Sequence, residues 1–248
     1  MRQYCAIDLP GKILYDKDFS VQIRKITPIE QKYILTLSQK EQKTNKDYIN
    51  FIKQLVVFDN PQVRFEDLYW YDVQYILYKI RFITYEKYPI KLSFKCKNVL
   101  DDGEYCNEKI IQELKIGDLQ IVTPDDLPNL KKEVELENLG PTKIRCKIMQ
   151  DDILIDDFMK RNKISEDDYQ MRLLLLDLCM ISTDHSLDEL YKSASEGLIT
   201  AQDIITIEDW FKNTLWGVKQ EMKVKCPKCG KESLREYVLG LEDFFSAV

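Results

Sequence analysis

Hydrophobic and polar positions recur along this chain with two periods, and the period changes several times. Phe19, Val21 and Ile23 stand against Ser20, Gln22 and Arg24, the period of two of a half-buried strand. An Asp-Lys-Asp turn before that run pairs it with residues 12–15, so 12–25 predict a hairpin. Thr27, Pro28 and Glu30 supply an N-cap, a proline at the first helical position and the glutamate of a capping box, which starts a helix running to about Gln39. A second helix fits 47–57. A third fits 71–84, where Val73, Ile76, Leu77 and Ile80 line one face at helical spacing. Strand-like runs then occupy 91–95, 110–114, 119–122, 132–137 and 143–149. Helical patterns follow at 153–161, at 166–181 behind a Ser165 cap, at 186–195 and at 206–216. The chain returns to strands at 219–225 and 233–241 before a short end at Phe244 and Phe245. This order predicts a mixed α+β fold. It comprises an N-terminal hairpin and helical layer over 1–87, an antiparallel β-element built from the distant segments 88–150 and 218–248, and an inserted helical subdomain over 151–217.

The seven cysteines decide what joins those distant segments. An odd number in a chain of this size does not read as a disulfide framework. Cys226-Pro227-Lys228-Cys229-Gly230 is a compact knuckle, in which two thiolates two residues apart grip one metal and the glycine permits the tight turn. The best second half is Cys96 with Cys106, which flank an Asp-Asp-Gly turn and lie between two strand-like runs. Their spacing is wider than usual, and the loop 97–105 must project outward as a hairpin if all four are to meet. Cys96, Cys106, Cys226 and Cys229 are therefore the expected ligands of a structural zinc ion, which would staple the ends of the 107–225 excursion. The alternative is one reduced CxxC with unrelated core cysteines. Cys5, Cys146 and Cys179 lie in apolar contexts and read as small hydrophobes.

Charge and composition narrow the chemistry further. Thirty-six Lys and Arg against 42 Asp and Glu leave a net charge of −6, which disfavours dedicated nucleic-acid binding. The most apolar stretch, 173–181, is broken by Asp177 and too short to span a bilayer, and the first residues lack the apolar core of a signal peptide. A reducing cytoplasm is the expected place of synthesis, and no membrane partner is expected. Five Asp-Asp pairs read as turn and helix caps, because no calcium-loop pattern accompanies them. His185, the single histidine, has no nucleophile-elbow motif to serve, and no phosphate-cradling glycine loop is present. Four thiolates leave a metal no open position, so no enzyme is expected. Tyr69, Trp70, Tyr71, Tyr75, Tyr78 and Phe82 form a dense aromatic run that exceeds one helix face, so part of it, at Trp70 and Tyr71, is expected to face a protein partner.

Two segments carry a resemblance: FSVQIRKITPIEQKYIL at 19–35, and YDVQYILYKIRFITYEKYPIKLSFKC at 71–96. A strand ending in Ile23-Arg24 leads into a helix containing Glu30. A helix with Asp72 and Tyr75 ends in Ile80-Arg81 and leads to the strand of Cys96. This pattern resembles the baseplate proteins of T-even-type contractile phages, the hub or hub-assembly component, over about 15–125. The match is weaker over 126–217 and returns at 225–245, where Cys226, Cys229 and Gly230 fit a terminal zinc knuckle. The insertion 97–105 and the long helical segment 151–217 depart from it. The resemblance implies a tail baseplate or hub component, or an assembly factor for one, that acts by docking to other tail baseplate or hub proteins, in the virion tail or in the host cytoplasm during assembly. The rival is a zinc-ribbon adaptor for nucleic acid or RNA polymerase, against which the acidic balance weighs.

Overall fold

Val21 and Ile23 are buried at the centre of a three-stranded antiparallel sheet. The structure is a computed structural model and describes residues 3–38, 45–126, 133–165, 167–239 and 244–245. Strands β1 (Tyr4–Ile7), β2 (Val21–Arg24) and β3 (Val56–Phe58) lie in the order β1-β2-β3, with Ile23 opposite Cys5 on one side and Val56 on the other. The expected hairpin over 12–25 does not form, because β1 and β3 occupy both edges of β2 and Lys12–Leu14 is a single 3-10 turn. Buried Asp72 pins that region elsewhere. It accepts the Gly11 N–H at 2.9 Å and the Tyr15 hydroxyl at 2.7 Å.

Helix α1 (Pro28–Ser38) opens on the expected capping box: Thr27 N–H donates to Glu30 Oε2 at 2.8 Å and Glu30 N–H to Thr27 Oγ1 at 3.3 Å. Its expected end at Gln39 lies outside the described residues. Helix α2 (Asn45–Lys53) stops short of the expected Val57, since β-branched Val56 and Val57 pair with β2 instead. Helix α3 (Trp70–Thr84) buries Val73, Ile76, Leu77 and Ile80, and also Tyr71, Tyr78 and Phe82, so it runs through the layer rather than over it. The two C-terminal phenylalanines insert into the same core, Phe244 edge-on to Tyr78 at 4.8 Å and Phe245 edge-on to Phe51 at 5.7 Å.

Beyond α3 the chain makes the hairpin β4 (Ile90–Lys95) and β5 (Lys109–Leu114), a short strand β6 (Ile121–Val122), and the hairpin β7 (Glu133–Leu136) and β8 (Gly140–Lys143). The strand expected over 143–149 is displaced: only Lys143 remains in β8, Ile144 bridges Ile181, and α4 (Met149–Arg161) begins where Asp151 accepts the Ile148 N–H. Helix α5 (Tyr169–Met180) starts later than expected because Asp168, not Ser165, caps it by accepting the Met171 N–H. Helix α6 (Leu187–Ser195) matches the expected 186–195 to within a residue, with Ser186 as its cap. Helix α7 (Ala201–Asn213) starts earlier than the expected 206, at a Thr200–Asp203 capping box, and ends before Trp216. The chain then pairs β9 (Gly217–Val218) with β6 and closes with the hairpin β10 (Glu221–Lys225) and β11 (Glu232–Glu236).

Helices α4 to α7 gather around two apolar clusters of their own, one including Leu178, Ile199 and Ile207 and the other Ile155, Phe158 and Leu175. Among the described residues no helix is long and apolar enough to cross a membrane.

Candidate metal centre

The two hairpins β4–β5 and β10–β11 bring their cysteine-bearing ends together. Cys96 directly follows β4, and its N–H and C=O continue the ladder to Glu108 and Asn107. The loop beyond it is a narrow finger: Cys106 N–H donates to Asn98 O at 2.8 Å, Val99 bridges Tyr105, and Gly103 adopts φ +86° at the tip. The ten-residue spacing is thereby taken up by a projecting hairpin, and both cysteines return to its base. On the other side Gly230, at φ +70°, turns the knuckle so that its N–H reaches Cys226 O at 3.0 Å and Cys226 N–H reaches Lys231 O at 3.0 Å. Lys231 Nζ also donates to Val99 O at 3.0 Å, tying the knuckle to the finger.

The four sulfurs of Cys96, Cys106, Cys226 and Cys229 lie within 4.8 Å of one another. Cys96 Sγ is 3.8 Å from Cys229 Sγ, and Cys106 Sγ is 3.7 Å from Cys226 Sγ. A tetrahedron with metal–sulfur bonds of about 2.3 Å has edges of roughly 3.8 Å, so the donor set fits a single four-coordinate ion. Cys96, Cys106 and Cys226 are buried and Cys229 is partly so, within a wrapper of Ile110, Val224, Phe94, Leu100 and Met222. The backbone N–H of Lys231 is the chief influence that brings the Cys229 thiol down to about 6, with Asn98 and neighbouring thiols assisting. Cys106 receives the Glu108 N–H, but burial and the competing thiols outweigh it and push that group up to about 11. Of these two, the partly exposed Cys229 is the more acidic and the buried Cys106 the less.

Asn98 escaped the sequence reading. Its side-chain Nδ2 lies 3.3 Å from Cys96 Sγ and 3.7 Å from Cys229 Sγ. An asparagine two residues after a cysteine carries no metal signature.

The other singled-out residues fall elsewhere. Cys146 and Cys179 are buried apart from the cluster, whereas Cys5 is exposed on β1 rather than packed as a small hydrophobe. His185 is a surface residue, 3.9 Å from Glu189. The acidic pairs cap and bridge: Asp151 forks to Arg145, Asp152 reaches Lys147 at 2.9 Å, and Asp156 reaches Arg172 at 2.6 Å. Of the aromatic run, Tyr71, Tyr78 and Phe82 are buried and Tyr69, Trp70 and Tyr75 partly so, which corrects the expectation of a partner-facing side chain at Tyr71. Tyr71 is only 8% exposed, against Trp216 and Phe211, and no member of the six is exposed. Trp70 is half-buried beneath the Lys147 ammonium, 4.7 Å from the ring centre. The helix has aromatic neighbours on several sides, so one face was never its limit.

Over residues 7–246 the chain matches the family model described as T4 bacteriophage base plate protein. No curated protein and no solved structure matches it.

Proposed function

This chain belongs to the T4 bacteriophage base plate protein family, and we propose that within the phage baseplate it is a hub component or an assembly factor acting through protein–protein docking. The family match over nearly the whole chain carries this reading. Its four clustered thiolates are read as the holders of a structural zinc ion. Four sulfur donors in tetrahedral reach suit zinc or iron, and a complete protein ligand set leaves no coordination position for water or substrate. Zinc would therefore supply cross-linking and no chemistry, and the protein would work without turnover.

With Tyr71 buried and Trp70 half-buried, docking falls to exposed apolar side chains. Ile29 and Tyr33, one helical turn apart on α1, are 83% and 50% exposed, and Ile111 and Leu234 stand outward on β5 and β11. The discriminating experiment is to delete the gene, ask whether infectious tails form, and search purified tails for the chain by mass spectrometry. Loss of tails with the chain present in mature particles supports a hub component, and loss of tails with the chain absent supports an assembly factor. Normal tails without it, or micromolar DNA affinity with a steep salt dependence, would overturn the docking reading in favour of a nucleic-acid adaptor.

A further inference from the structure

Metal-bound thiolates keep lone pairs, and N–H groups directed at them fix their orientation and lower their energy. Three of the four sulfurs here are served from the residue two positions later. Cys229 receives the backbone N–H of Lys231, and Cys106 that of Glu108. Cys96 receives instead the side-chain Nδ2 of Asn98, at 3.3 Å.

The path of the chain accounts for the difference. After Cys229, Gly230 turns the backbone and brings the amide of residue 231 to the sulfur. After Cys96 the strand runs on into the finger, where the Asn98 carbonyl is engaged by Cys106 N–H at 2.8 Å. The donor that reaches the Cys96 sulfur is the side-chain amide. The same amide stands 3.7 Å from Cys229 Sγ, so it spans the two halves of the cluster.

We propose that Asn98 is a positioning residue of the metal centre, its side-chain amide replacing the backbone donor that a compact knuckle provides, which is what makes the ten-residue spacing workable. The inference rests on the reading of the four cysteines as a metal site. The test uses the full chain as wild type, Asn98→Asp, Asn98→Ala and Glu104→Gln. Zinc affinity is measured by competition with a chromophoric chelator, and the thiolate-to-cobalt charge-transfer band is recorded after cobalt(II) loading. Asn98→Asp keeps the side-chain size but turns a carboxylate toward two thiolates. Its zinc affinity is expected to fall about 10–100-fold, with the cobalt band moving to lower energy as the thiolates lose their donor. Asn98→Ala gives the same band shift with a smaller loss and decides the matter if the aspartate variant fails to fold. Glu104→Gln, in the same finger, leaves both readouts unchanged. Unchanged affinity and band in the Asn98 variants, or a lowered melting temperature with an unmoved band, overturn the assignment while leaving the metal site intact. Failure of the wild type to take up either metal overturns the metal reading together with it.

Discussion

Asp72 and Glu30 are carboxylates held by folding in opposite senses. Burial is the larger effect on Asp72 and raises it from 3.8 to about 6, outweighing the Tyr15 hydroxyl and the Gly11 N–H that favour its charge. Between pH 4 and 6 the folded chain then holds a proton that the unfolded chain has released, so stability falls as pH rises through that window. Asp72→Asn, which keeps the size and one acceptor, is expected to flatten this part of a denaturation-versus-pH profile, and an unaltered slope would refute the account. For Glu30 the two hydrogen bonds from Arg24 dominate and bring it down to about 2. Its contribution is present above the ordinary 4.5 and is lost as pH falls toward 2. Gly11 belongs to the same neighbourhood as Asp72. A Cβ there would meet the Trp216 ring at 2.1 Å and Asp72 Oδ2 at 2.7 Å. Gly11→Ala is therefore expected to cost about 1–3 kcal/mol, measurable in urea, because a packed ring and a hydrogen-bonded loop must both shift.

Helix starts are where one residue governs a whole element. Asp203, 1% exposed, accepts the Thr200 N–H at 2.8 Å and the Glu137 N–H at 2.7 Å, so it caps α7 and ties that helix to the β7–β8 hairpin. Asp203→Ala would leave two backbone donors without their acceptor and is expected to cost on the order of 2–3 kcal/mol. Amide exchange should speed up first at the α7 start and at Glu137; uniform protection there would argue against the coupling. Capping boxes of this kind are local, which is why the start of α1 could be read from sequence at Thr27. The α7 start was missed because Thr200–Asp203 competes with an apolar run that reads equally well from 206. Strand partners were less legible. Ile23 announces a strand by its alternation, but its neighbours Cys5 and Val56 lie on distant stretches that no local pattern connects. The four cysteines were legible because spacing and turn chemistry are local, and Asn98 was not, because its role exists only once the finger is folded.

At the scale of the whole molecule the thiolate cluster ties β4–β5 to β10–β11, and the helices α4 to α7 lie between them in sequence. Cys229→Ser is expected to lower metal content and melting temperature together, since metal binding and folding are linked. Cys179→Ala should leave the metal in place, as that residue is buried against α4 and α6 away from the cluster. Retention of full metal by Cys229→Ser would remove it from the ligand set. Ile29→Glu tests the outer surface: at 83% exposure it should leave the melting temperature unchanged while reducing incorporation into tails. Normal incorporation would exclude that face of α1 from docking.

The cysteine pairs also differ in when they are made. Translation delivers Cys96 and Cys106 first, and 120 residues separate Cys106 from Cys226. At roughly 5–20 residues per second that interval is about 6–24 s, during which the earlier pair is an open dithiol at the base of its finger. A ribosome that stalls within α4 to α7 releases a chain unable to close the cluster. Closure is thus a record that synthesis has passed Cys229, and it distinguishes such chains from those cut off within the helices without any separate inspection step.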